Sequence, residues 1–84
     1  MTVAERVRGF ILEYFYVSDP DELTDEISLI DTGLVDSTGM MEIILFIEGE
    51  YAIHVEDHET IPENLESISK IAAFVARKRP AARV

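Results

Sequence analysis

The stretch Gly33-Leu34-Val35-Asp36-Ser37-Thr38-Gly39-Met40-Met41-Glu42-Ile43-Ile44-Leu45-Phe46-Ile47 decides how this 84-residue chain is read. Its apolar run, Gly39 to Ile47, has two readings, a buried strand or the inner face of a helix. Asp36, Ser37 and Thr38 stand immediately before it, and each of these side chains can accept a hydrogen bond from the N–H groups that open a helix. With those caps, the apolar length favours a helix. Met40, Met41, Ile43, Ile44, Ile47 and Tyr51 supply its apolar face, Leu45 and Phe46 broaden it, and Glu42, Glu48 and Glu50 are its acidic groups.

Two further helices follow from outward reading. Thr2 and Glu5 fit a reciprocal cap, and Val3, Val7, Ile11 and Tyr14 or Phe15 recur at helical spacing, with Phe10 widening the stripe. That predicts a helix over about 3–16, stopped by Ser18-Asp19-Pro20-Asp21, because proline has no N–H and disfavours helical geometry at Asp19. Ser67 caps a last helix whose buried stripe is Ile68, Ile71, Ala72, Phe74 and Val75. Lys70, Arg77, Lys78 and Arg79 lie toward its C-terminal end, where they suit the helix dipole, and Pro80 ends it, leaving 81–84 frayed.

Between the first two helices, the chain to Asp36 reads as a long loop with isolated anchors at Leu23, Ile27, Leu29, Ile30 and Leu34, and Gly33 turns it. A loop of that length in a small domain points to function. Ile53 and Val55 sit in an irregular link, and Glu56 to Leu65 holds a short helix or single turn with Pro62 in its first turn. The expected fold is all-α: a small bundle of three main helices plus one short helix, a single domain over 1–84 with its ordered core at about 3–78.

Composition excludes several classes. Hydrophobic residues make up 48 %, too many for a disordered chain, and there is no Cys, hence no disulfide framework and no thiolate of its own. No run is apolar enough to span a bilayer, and the charged N-terminus lacks the core of a secretory signal, so a cytoplasmic, monomeric protein is expected. Seventeen Asp and Glu against seven Lys and Arg give a net charge of −10, and no Lys or Arg occurs between Gly9 and Ser69. Such a surface repels nucleic acid and anionic lipid, and it suits either a merely soluble protein or one met by basic partners.

Enzymatic machinery is absent from the pattern. His54 and His58 flank an acidic segment, but isolated His and carboxylates in a turn without Gly are poor metal ligands as a set, and no metal site is expected. Neither Gly33 nor Gly39 belongs to a phosphate-binding glycine motif. Asp36-Ser37 is the point of interest. A serine at a helix start is exposed and close to N–H groups that tolerate an anion, although an ordinary helix cap explains the same two residues more simply.

The run from Gly33 to Ile43 resembles the attachment motif of the acyl carrier protein family, in which Gly, a short spacer, Asp, Ser and usually Leu precede an apolar helix containing Glu. Upstream Leu29 and Asp31, downstream Phe46 to Ile53, and Pro62 to Ile68 with Ile71 and Phe74 extend the similarity over roughly residues 3 to 78. The resemblance implies a non-catalytic carrier. A phosphopantetheinyl transferase attaches 4'-phosphopantetheine to Ser37, and an acyl-type cargo rides on its thiol as a thioester. It implies an acyl-loading ligase or transferase and pathway enzymes with basic docking patches as partners, met through Asp36, Thr38, Met41, Glu42 and Glu48. Fatty acid, polyketide and nonribosomal peptide pathways all use such carriers. Thr38 stands where Leu is usual in the family, which together with the chain's length implies a specialised pathway. A peptidyl or aminoacyl carrier and an unmodified helical interaction protein are the alternatives.

Overall fold

The computed structural model describes residues 2–79. In chain order they form α1 (Val3–Tyr14), a 3-10 turn (Pro20–Glu22), α2 (Ser37–Tyr51), a second 3-10 turn (Asp57–Glu59), α3 (Pro62–Leu65) and α4 (Ile68–Lys78). No strand occurs among the described residues. The architecture is the all-α bundle of three main helices and one short one, with α1 packed on α4 and α2, and α3 on α4. The expected stop at Pro80 lies outside the described residues, as do 81–84; α4 itself ends at Lys78, where Arg79 turns extended.

The caps form as side-chain chemistry dictates. Thr2 Oγ1 accepts from the Glu5 N–H at 3.1 Å while Glu5 Oε1 accepts from the Thr2 N–H at 2.8 Å. That bond from the Thr2 N–H holds the Glu5 carboxyl below its usual range. Ser67 Oγ accepts from the Lys70 N–H at 3.2 Å. Helix α1 is shorter than its apolar spacing predicts. It ends at Tyr14 because Phe15 turns extended, its N–H still bonded to the Ile11 carbonyl at 2.9 Å, and lays its ring over Gly39 of α2. Tyr14 is consequently 63 % exposed. Pro20 does not stop α1 but opens the first 3-10 turn, with Asp19 Oδ1 accepting from the Asp21 N–H at 3.1 Å.

One buried cluster runs from Val7 and Ile11 of α1 through Ile43, Ile44 and Ile47 of α2 to Ile68, Ile71, Phe74 and Val75 of α4. Each such side chain contributes about 1.5–3 kcal/mol by leaving water. The long loop is fastened to this core rather than draped over it. Leu23, Leu29 and Val35 are buried, Val35 being an anchor that the sequence pattern did not single out. The Leu29 N–H donates to the Glu66 carbonyl at 2.9 Å, and the Ser69 N–H to the Asp25 carbonyl at 2.9 Å. The Arg8 guanidinium donates to the Leu23 carbonyl and the Asp25 carboxylate. Gly33 turns the chain at φ 78°, a conformation that disfavours any residue with a Cβ. Ile30, an expected anchor, and Leu45, expected to broaden the apolar face of α2, are exposed, as is Met41, which was expected on that face and also among the partner-meeting residues.

Candidate functional site

At the start of α2 the cap is Asp36, not Ser37 or Thr38. Its Oδ1 accepts from the Gly39 N–H at 2.7 Å, and its carbonyl accepts from the Met40 N–H at 2.8 Å. Ser37 is therefore the first residue of the helix, exposed, and its hydroxyl makes no hydrogen bond among the described residues. The N–H groups of a helix's first turn have no partner four residues back, so an anion joined to the Ser37 oxygen meets the positive end of α2. A phosphodiester fits this position, both by donor set and by access. The Asp36 carboxylate points into its own helix end and organises the turn that presents Ser37.

Beside Ser37 a cleft of about 440 Å³ opens between the long loop, α2 and α3. Met40, Met41 and Ile44 line it from α2, Ile30 from the loop, and Ile61 and Leu65 from the α3 side. This accounts for the exposure of Ile30 and Met41, though not of Leu45. Ile30, Met41 and Ile61 are 45 %, 53 % and 41 % exposed, and all three face this one cleft. Periodicity marks a residue as apolar but does not say whether it packs inward or lines a hollow, and the contribution of Ile30, Ile61 and Leu65 was not legible in it. Ser28 and Asp31 are polar residues in the same lining, the Ser28 hydroxyl accepting from the Asp31 N–H at 3.2 Å.

The wall near Ile61 is braced from behind. The Glu59 carbonyl accepts from the Ile61 N–H at 2.9 Å and from Asn64 Nδ2 at 2.9 Å. The Glu59 carboxylate pairs with Lys78 Nζ of α4 at 2.9 Å and also accepts from the Glu56 N–H at 3.0 Å. The Glu56 N–H first, and then Lys78, hold the Glu59 carboxyl below its usual range.

The remaining sequence-selected residues separate into two groups. Thr38, Met41 and Glu42 are exposed on the first two turns of α2 with Ser37. Glu48 is not with them: half-buried at the other end of the helix, its Oε2 accepts from the Val55 N–H at 2.8 Å and lies 3.5 Å from His54 Nδ1. His54 lies also 3.6 Å from Glu56, and His58 sits in the second 3-10 turn. No group of three or more His, Cys, Asp or Glu side chains gathers at metal-binding distance among the described residues, nor is any described helix long and apolar enough to cross a membrane.

Comparison with known proteins gives a consistent result. The chain is 28 % identical over 78 residues to an acyl carrier protein of Bdellovibrio bacteriovorus, covering 93 % of this chain and 96 % of the relative. It is 28 % identical over 76 residues to an acyl carrier protein of Caulobacter vibrioides, covering 90 % and 94 %, and 28 % identical to that of Phenylobacterium zucineum, covering 90 % and 92 %. No family model matches the chain. The chain is thus similar over nearly its whole length to several acyl carrier proteins, on an all-α bundle of the helix order expected from that resemblance.

Proposed function

We propose that the chain, acting as a single carrier unit, holds an acyl-type cargo on a 4'-phosphopantetheine arm joined to Ser37, and that the cleft beside Ser37 receives the apolar part of that cargo. The observation that carries this reading is the meeting of an exposed hydroxyl at a helix N-terminus with an apolar cleft that it helps to line. The family is one of carriers rather than catalysts. When attached, the arm supplies the thiol that holds cargo as a thioester. The protein's own residues present Ser37, bear its phosphate at the start of α2 and shelter apolar surface from water. An apolar lining favours an acyl chain over the polar cargo of an aminoacyl carrier. The Met40 and Met41 side chains let the cleft adapt to its guest.

The test is to incubate the chain with coenzyme A, Mg²⁺ and a broad-specificity phosphopantetheinyl transferase, then locate the added mass by peptide. Addition on Ser37 alone is expected. No addition, or addition at Ser18, Ser28, Ser67 or Ser69, overturns the assignment.

Thr38, Met41 and Glu42 form the surface that a loading ligase, transferase or pathway enzyme meets on approaching Ser37, and Glu48 supports it only through the turn after α2. Thr38 offers less apolar contact than Leu, which suits partners of a specialised pathway. Glu42→Lys slows loading by a cognate enzyme mainly through association, and less at high salt. Glu22→Lys, an equal charge change in the first 3-10 turn, is the control; equal slowing in both removes Glu42 from the recognition surface.

A further inference from the structure

A second hollow, of about 370 Å³, lies between α1 and α2 and shares no lining residue with the cleft beside Ser37. Gly9, Phe10 and Tyr14 line it from α1 and Phe46 from α2, with Glu5 and Glu13 beside them. The Phe10 and Phe46 rings stack at 4.4 Å between centroids, and Tyr14 follows Phe10 at 4.9 Å with most of its surface in water. Aromatic surface of this kind gains from being covered.

Gly9 is what makes the hollow notable. Glycine is among the least favourable residues inside a helix. Nothing among the described residues asks for it: its φ is not positive, and a Cβ built there meets none of their atoms within 4 Å. The bare backbone keeps the hollow open toward whatever approaches from outside. Charge narrows the occupant. Arg6, the basic residue of the hollow, is tied to Glu50 at 3.0 Å. Glu5 and Glu13 border the aromatic floor. A second copy brings the same carboxylates and a net charge of −10 against them, so self-association is opposed.

We propose that the hollow between Gly9 and Phe46 is a docking site for a protein partner that inserts an apolar or aromatic side chain flanked by Lys or Arg. Charge steers the approach, and the inserted side chain covers the stacked rings. Because the hollow and the Ser37 cleft share no residue, a partner held here leaves Ser37 open to a second protein. The inference does not rest on modification of Ser37.

The experiment selects a displayed library of random peptides against the immobilised full-length chain and measures the enriched peptides in solution. Enriched sequences are expected to share an apolar or aromatic anchor beside Lys or Arg, to weaken with added salt, and to shift the amide resonances of Gly9, Phe10 and Phe46. Gly9→Gln fills the hollow while favouring the helix, so it should melt no lower than the parent and bind the peptides about tenfold more weakly or worse. Ser37→Ala should bind them unchanged. The proposal is overturned if no peptide is enriched, if the anchors lack basic neighbours, or if Gly9→Gln binds equally well. A lower melting temperature for Gly9→Gln would make Gly9 a structural residue and also overturn it. So would sedimentation showing a dimer that Gly9→Gln dissociates, since the occupant would then be a second copy.

Discussion

The two ends of α2 are built from the same materials and use them differently. At the N-terminal end, Ser37, Thr38, Met41 and Glu42 keep their side chains in water, and only Asp36 is spent on structure. At the C-terminal end the polar groups are occupied. Glu48 accepts from the Val55 N–H, Glu50 pairs with Arg6, and the Arg79 guanidinium lies 5.2 Å from the centre of the Tyr51 ring. A glutamate in an apolar helix is thus a surface group at one end and a brace at the other. On the function proposed above, this division suits a carrier: the end that would offer the arm leaves its groups to partners, while the other end fixes the helix to the bundle.

The sharpest way to break the comparison is to remove one glutamate from each end. Glu48→Ala strands the Val55 N–H close to the core and should cost about 1.5–3 kcal/mol, the range for hydrogen bonds to charged groups. Glu42→Ala should cost no more than about 0.5 kcal/mol. Urea unfolding of both variants decides the matter, and equal midpoints would mean the ends do not differ as described.

Glycine sharpens it next. A Cβ on Gly39 would sit 2.6 Å from the Phe15 ring and 3.2 Å from Val35, whereas one on Gly49 meets nothing within 4 Å. Gly39→Ala should therefore destabilise by about 1–3 kcal/mol, the usual range for overpacking, despite its better helix propensity. Gly49→Ala should stabilise by up to about 1 kcal/mol. Thermal melts that move in the same direction for both would show that propensity alone governs the helix.

The cap supplies a third comparison, within the N-terminal end of α2 itself. Asp36→Ala removes the acceptor of the Gly39 N–H and should cost about 1 kcal/mol. Ser37→Ala removes a hydroxyl that caps nothing and should stay within about 0.5 kcal/mol in chemical denaturation. The reverse order would return the capping role to Ser37.

These residues also mark what the sequence made legible. Thr2, Glu5, Ser67, Pro62 and Gly33 were readable because each acts on backbone within a few residues of itself. Ser37 was singled out only by the resemblance of the motif around it; as helix caps Asp36 and Ser37 competed, and only coordinates distinguish them. The early end of α1 was not readable, because it depends on Phe15 reaching Gly39 across the fold. The cleft was readable only as one of two equal roles for Met40 and Met41, pocket lining or core; Ile30 and Ile61 join them from separate segments, which no local pattern shows. The division between Glu42 and Glu48 was hidden likewise, since the acceptor role of Glu48 appears only when the chain turns back at Val55.

The smallest expected effect concerns the carboxylate that braces the cleft wall opposite the N-terminal end of α2. Glu59 is bonded by the Glu56 N–H and by Lys78, and its folded-state pKa lies below the ordinary value of 4.5. The proton is thus bound more weakly in the folded chain than in the unfolded one. The contribution of Glu59 to stability is full above the unfolded value and is lost as pH falls through the folded value. Acidification has an opposing effect in the same range, because protonating other carboxylates relieves the repulsion of a chain with net charge −10. The melting temperature of the parent alone therefore does not isolate Glu59, but the difference between the parent and Glu59→Gln does. The parent's advantage should be constant from neutrality down to about pH 5 and shrink at more acid pH. Glu59→Gln should also loosen the turn carrying Ile61, seen as faster amide exchange there at neutral pH. An advantage that grows on acidification would reverse the sign and show that Glu59 does not act as a bonded carboxylate in the folded chain.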